Sequence, residues 1–175
     1  MTSARGLWPW ALFAAIGSTS ADILVNDNAG ATGTSNFIQS ESSITVFGST
    51  VIVGYNDAGS FIGGRNSIIG WSMSTNGGAS FTDMGALPAG PNGNSGDPVL
   101  ARNATTGTIY LLSEPFNGNS PQLYRSFDGG LTFTTPVSAT PGVTGFFECR
   151  CTCSADRATQ LGVGPADVVD VVLLQ

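Results

Sequence analysis

Four carboxylates stand where β-rich runs begin or end: Glu41 and Asp97 before such runs, Asp57 and Glu114 after them. Acidic groups at strand ends gather on one edge of a sheet, where functional groups collect. The plainer use of a carboxylate there is to cap a turn or to sit in solvent. Three cysteines cluster as Cys149, Cys151 and Cys153. Alternate residues of a strand share a face, so three sulfurs could line one side of a metal ion. The chain has no histidine to complete such a site, which leaves Glu148 as fourth ligand. The missing ligand favours a tail whose thiols pair opportunistically. Asn26-Asp27-Asn28-Ala29-Gly30 has the opening of a calcium loop but lacks the downstream bidentate Glu. Asn103-Ala104-Thr105 is a glycosylation sequon, relevant only in a eukaryotic secretory pathway. No metal and no cofactor is expected.

The elements that must carry these groups are foreshadowed by composition. The 24 Gly and 9 Pro, with only 10% charged residues, fit short strands joined by many turns. All six basic residues are Arg, and the net charge of −6 argues against nucleic acid or an anionic membrane surface as partner. Arg5 followed by the apolar run Leu7 to Gly17 reads as a signal peptide over residues 1–21, too short to span a bilayer. Thr19 and Ala21 suit the −3 and −1 positions, which places cleavage before Asp22. A secreted protein, extracellular or periplasmic, follows. No later run reaches the ~18 apolar residues of a transmembrane helix.

An internal repeat organises the rest. Ser74-Thr75-Asn76-Gly77-Gly78-Ala79-Ser80-Phe81 matches Ser126-Phe127-Asp128-Gly129-Gly130-Leu131-Thr132-Phe133 in residue type. The offset is roughly 52 residues, near the ~40–50 of a four-stranded propeller blade. Upstream, Glu41-Ser42-Ser43-Ile44 precedes Thr50 to Tyr55, and Asp97-Pro98-Val99-Leu100 precedes Thr108 to Leu112. Each unit reads as an acidic start, a strand, a turn, two further strands, and a Gly-Gly turn into a last strand. Alternation and β-branched residues support those strands.

The octet has a physical logic. Asn76 or Asp128 can accept backbone N–H bonds and close an Asx-type turn. The Gly-Gly pair tolerates positive φ. Ser80 or Thr132 returns a hydroxyl to the turn, and Phe81 or Phe133 sets an aromatic ring into the core between blades. Near Glu148 the pattern changes. Phe146-Phe147-Glu148 falls where a third blade should begin, yet the Cys cluster and a valine-rich stretch, Val168 to Leu174, follow instead. That stretch suits a strand or a short helix behind Pro165. Truncation, a change of reading frame or replacement would each produce such a tail.

The octets resemble the Asp box, or bacterial neuraminidase repeat, of sialidases and other secreted β-propellers. Gln39-Ser40-Glu41-Ser42, Val53-Gly54-Tyr55-Asn56-Asp57 and Gly96-Asp97-Pro98-Val99 look like phrases of bacterial sialidase-family proteins. The resemblance covers residues 22–147. Residues 126–133 depart from the consensus only in ending on Phe rather than Trp. Residues 74–81 depart further, with Asn76 for Asp and Ser80 for Thr. It implies that both boxes (Ser74, Asn76, Gly78, Ser80, Phe81; Ser126, Asp128, Gly130, Thr132, Phe133) are structural and lie on the rim away from the mouth. Asp57 and Asp97 become candidate mouth carboxylates. Sialidases use a Tyr nucleophile, with a neighbouring Glu, an Asp acid/base and three Arg gripping the substrate carboxylate. The Arg-Ile-Pro signature is absent, and neither Tyr55, Tyr110 and Tyr124 nor Arg65, Arg102, Arg125, Arg150 and Arg157 match a catalytic position. The catalytic residues stay unknown.

The expected fold is all-β: an incomplete β-propeller of about two four-stranded Asp-box blades over 22–147, with an irregular, atypical tail over 148–175. The expected function is a non-catalytic glycan-binding or scaffold module whose partners are glycans or glycoproteins. The alternative is an exo-sialidase whose catalytic blades lie outside this chain. A third reading is an incomplete gene product. Closed propellers hide their sheet edges, so self-association through open edges is also expected.

Overall fold

The computed structural model describes residues 22–27, 38–61, 67–117, 120–141, 159–163 and 169–173. The proposed signal peptide, the calcium-loop residues after Asp27, Arg65 and the Cys149–Cys153 cluster with Glu148 lie outside them. Among the described residues, no helix is long and apolar enough to cross a membrane.

Two four-stranded antiparallel sheets dominate. The first is β1 (Gln39–Phe47), β2 (Thr50–Asp57), β3 (Ile69–Ser74) and β4 (Thr82–Ala86), in that order. The second repeats it with β5 (Gly96–Arg102), β6 (Ile109–Glu114), β7 (Gln122–Ser126) and β8 (Val137–Ser138). Each sheet is an up-and-down blade, and the pair makes the all-β blade repeat of a β-propeller. β5 packs beside β1 and β2, so the blades sit face to face at their first strands. The tail is more regular than its sequence suggests: β9 (Thr159–Val163) and β10 (Val169–Leu173) form an antiparallel pair, and β9 lies beside β5. Val169–Leu173 of the valine-rich stretch is thus a strand, because a register-matched neighbour satisfies its backbone.

Period-two alternation decides which side chains meet between the blades. Ile52, Ile69 and Trp71 of the first blade join Leu100, Ile109, Leu111, Tyr124 and Phe133 of the second in one buried core. The other face of β2 places Val51, Val53 and Tyr55 against Val25 and Phe81. The two box aromatics therefore part company. Phe133 enters the core between the blades, whereas Phe81 covers the opposite face of its own blade. On that face Ile44 and Val46, paired with Val53 and Val51, remain 60% exposed.

One close approach fixes the blade contact. The indole N–H of Trp71 donates to the Gly130 carbonyl at 3.0 Å, and the Trp71 and Phe133 rings meet edge to face at 5.5 Å. Gly130 has φ of 96°, and a Cβ there would overlap Ile52 Cδ1. A glycine satisfies both demands, positive φ and close approach.

Gly130→Ala should therefore cost roughly 2–4 kcal/mol, the sum of left-handed strain and overpacking. Gly77→Ala, at φ of 73° but facing open space, should cost only about 1 kcal/mol. Urea unfolding of both variants checks the difference; equal losses would show that the blade contact is not close-packed.

Candidate functional site

The two Gly-Gly turns lie at one end of the blades, between the third and fourth strands, and the first is tied to the β1–β2 hairpin by the Gly77 N–H, which donates to the Ser49 carbonyl. In the second blade, Asp128 Oδ1 accepts from Ser126 Oγ at 2.8 Å and from the Thr132 N–H at 3.0 Å. Asp128 Oδ2 accepts from Thr132 Oγ1 at 2.6 Å, and Ser126 Oγ accepts from the Gly130 N–H. The first blade reproduces this network with an amide. Asn76 Oδ1 accepts from Ser74 Oγ and the Ser80 N–H, while Asn76 Nδ2 donates to Ser80 Oγ at 2.8 Å. Only the last bond changes direction: Thr132 donates where Ser80 accepts. Desolvation acts to raise the Asp128 pKa, but the hydroxyl and backbone donors of Thr132 and the Ser126 hydroxyl together outweigh it and bring the value to about 2.

The opposite end of the blades carries the carboxylates. β1 and β5 begin there and β2 and β6 finish there, since Gln39 pairs with Asp57 and Gly96 with Glu114. Both first strands open on a bulge, between Ser40 and Ser43 and between Gly96 and Val99. Within the bulges Glu41 and Asp97 adopt left-handed φ of 53° and 57°. Non-glycine residues pay on the order of 1–2 kcal/mol for that conformation. Bulges re-aim side chains, and here both acids are turned to the same seam. The Asn56 side chain spans it: its Oδ1 accepts the Asp97 N–H at 2.9 Å and its Nδ2 donates to Glu41 Oε2. The Asp97 side chain can accept a hydrogen bond from protonated Glu41, which raises the Glu41 pKa above the ordinary 4.5; desolvation and the Asp97 charge add to the shift, and the Asn56 bond opposes it. Burial raises the Glu114 pKa, and the charge of Asp97 adds to it.

The two candidate mouth carboxylates separate. Asp97 belongs to this seam, whereas Asp57 does not. Alternation puts Asn56 on the face towards the second blade and Asp57 on the far face. There Asp57 Oδ1 accepts from the Gly59 N–H at 3.0 Å and from Gln39 Nε2 at 3.2 Å, closing an Asx turn. The sequon is also occupied by structure: Asn103 is buried, and its Oδ1 accepts from the N–H groups of Thr105 and Thr106. The guanidinium of Arg102 stacks on Phe47 at 4.4 Å and that of Arg125 lies over Phe127 at 5.9 Å. Neither reaches the acidic seam. Tyr55, Tyr110 and Tyr124 are all buried in strands.

Sequence reasoning passed over two asparagines. Asn56 was legible from its phase, since it shares a face with Ile52 and Gly54. Asn94 gave no signal, because it sits in the irregular segment between the blades. Fully buried, its Oδ1 accepts from Ser67 Oγ and from the N–H groups of Ile68 and Ile69, while its Nδ2 donates to Tyr124 OH at 2.9 Å. It ties the start of β3 to the second blade. Among the described residues, no group of three or more His, Cys, Asp or Glu is arranged to hold a metal ion.

No protein-family model matches the chain, and no curated protein does. Among solved structures, it is similar to the crystal structure of the GH43_1 enzyme from Xanthomonas citri complexed with xylose, at 14% identity and a TM-score of 0.40. The match covers 59% of this chain and 33% of that one, so the chain spans about a third of the enzyme's length.

The two turns should respond differently to acid. A lowered folded-state pKa contributes stability that is present above the unfolded value of 3.8 and is lost as pH falls towards about 2. Asp128→Asn should keep the turn, as Asn76 does, and reduce the loss of stability between pH 4 and pH 2. Asp128→Ala should cost about 1–2 kcal/mol at pH 7. Thermal melts against pH read both; an unchanged acid limb in Asp128→Asn would remove Asp128 from the account.

Proposed function

We propose that the chain is a secreted, sialidase-like β-propeller segment that binds glycans on its acidic strand-end edge without turning them over. The observation behind this reading is the seam of Glu41, Asn56, Asp97 and Glu114 between the blades. Carboxylates accept and an amide both donates and accepts, which suits the hydroxyl groups of sugars. The carboxylates make this edge negative, which disfavours an anionic sugar. Neutral glycans and glycoproteins are therefore the favoured partners. Secretion rests on the Arg5 and Leu7–Gly17 pattern, and self-association on the exposed Ile44 and Val46 of the first blade.

A second reading is supported by one feature. Glu41 retains a proton more readily than an ordinary carboxyl because Asp97 faces it, and a carboxylic acid beside a carboxylate is the equipment of glycoside hydrolysis. In that reading the edge is part of a hydrolase whose remaining groups belong to other blades.

A glycan array, run beside fluorogenic neutral glycosides and a fluorogenic sialoside, separates these readings. Binding without turnover is expected, reduced at least tenfold in Asp97→Asn and unchanged in Asp57→Asn. Turnover that disappears in Asp97→Asn would establish the hydrolase instead. No binding and no turnover would sink both.

A further inference from the structure

We infer that Glu41, Asn56 and Asp97 form a proton-operated latch that tightens the seam between the two blades in mild acid and slackens it at neutral pH. The latch involves the same edge as the proposed glycan site, but it does not rest on that reading and needs no ligand.

Three chain segments meet at the seam. Glu41 comes from the bulge that opens β1, Asp97 from the matching bulge of β5, and Asn56 from the end of β2. Asn56 is the neutral part of the latch. Its carbonyl oxygen holds the Asp97 N–H in the second blade, while its amide holds Glu41 in the first. Gly96, at φ of 147°, leaves room for this: a Cβ there would stand 3.2 Å from Asn56 Oδ1. The titratable part is the pair of carboxyls that the bulges turn towards each other.

The protonation step is simple. A proton from solvent neutralises the Glu41 carboxylate, and the new O–H donates to the Asp97 carboxylate across the seam. The pair then carries one negative charge instead of two, and a repulsive contact becomes a charge-assisted hydrogen bond. The Asn56 amide opposes this step, because its bond to Glu41 favours the carboxylate, but the Asp97 side chain and desolvation outweigh it. Glu114, at the end of β6, faces Asp97 and is likewise held above the usual carboxylate range by burial and by that charge. Asp57 is turned to the far face of β2, where it binds Gly59 and Gln39. Ser40, Gln39 and Pro98 are neutral, as are all residues from Leu87 to Ser95. Among the described residues, the two Arg are engaged at Phe47 and Phe127.

The sign follows from the raised values. Carboxyls whose folded pKa lies above the unfolded 4.5 add stability that is complete below 4.5 and lost as pH rises through the raised folded value. Neutral pH is therefore the slack state.

Thermal melts of the full chain at pH 7.5 and pH 4.5 test this. The wild type should melt about 2–4 °C higher at pH 4.5, a shift of the size a single modest interaction produces in a chain of this length. Glu41→Gln, which keeps a donor without the charge, should raise the pH 7.5 value and remove most of the pH difference. Asp128→Asn, at the other end of the blade, should keep that difference. A carboxyl-detected NMR titration of the wild type gives an independent reading, with the Glu41 midpoint expected above 4.5. A wild-type melt that falls on acidification, a Glu41→Gln variant with the full pH difference, or an ordinary Glu41 midpoint would each overturn the latch.

Discussion

Everything in this structure hangs on the contact in which Trp71 reaches out of the first blade to the Gly-Gly turn of the second. The indole N–H finds the Gly130 carbonyl, the ring meets Phe133 edge to face, and Ile52 fills the space that a side chain at position 130 would need. A blade is apolar on both faces and cannot bury them alone. A flat apolar contact between two sheets would let one slide along the other. The directional hydrogen bond and the excluded Cβ forbid that sliding. The register they set at one end of the blades brings Asn56 within reach of Asp97 at the other.

Between the ends, a buried polar node complements the apolar core. Asn94 is placed where strands β3 and β7 would leave N–H groups and a phenol hydroxyl without partners, and it satisfies all of them. A buried amide bonded through both its oxygen and its nitrogen rigidifies a core, whereas an unbonded one costs stability. This node therefore adds a second polar tie between the blades beside the Trp71 contact.

Electrostatically the two ends are opposites. At the turn end, donors converge on Asp128 and favour its charged form. At the seam end, the bulges hold Glu41 and Asp97 against each other and so disfavour charge on Glu41. Left-handed backbone at both acids makes that end costly twice over, in strain and in repulsion. Costs of this kind concentrate where a protein binds or switches, and the same end supplies the edge on which a glycan reading rests.

Much of the fold was readable in the sequence, since turn chemistry and alternation act over neighbouring residues. The repeat of Ser74–Phe81 in Ser126–Phe133 announced two blades, and the strands around Val51 and Ile109 followed from their β-branched runs. Local pattern could also name Asp97 as a residue of interest. It could not separate Asp97 from Asp57, because both stand at strand ends and only the pairing of whole strands reveals which face each one serves. Nor could it divide the labour between Phe81 and Phe133, find Asn94, or show that Asn103 is spent on a turn. The tail from Thr159 was harder still, since a strand is defined by its neighbour and no local signal supplied one. By itself the sequence determined the elements of the two blades and their order, which depend on contacts a few residues long. The tertiary structure alone decided which polar groups meet across the seam, because those meetings join residues some forty to sixty positions apart.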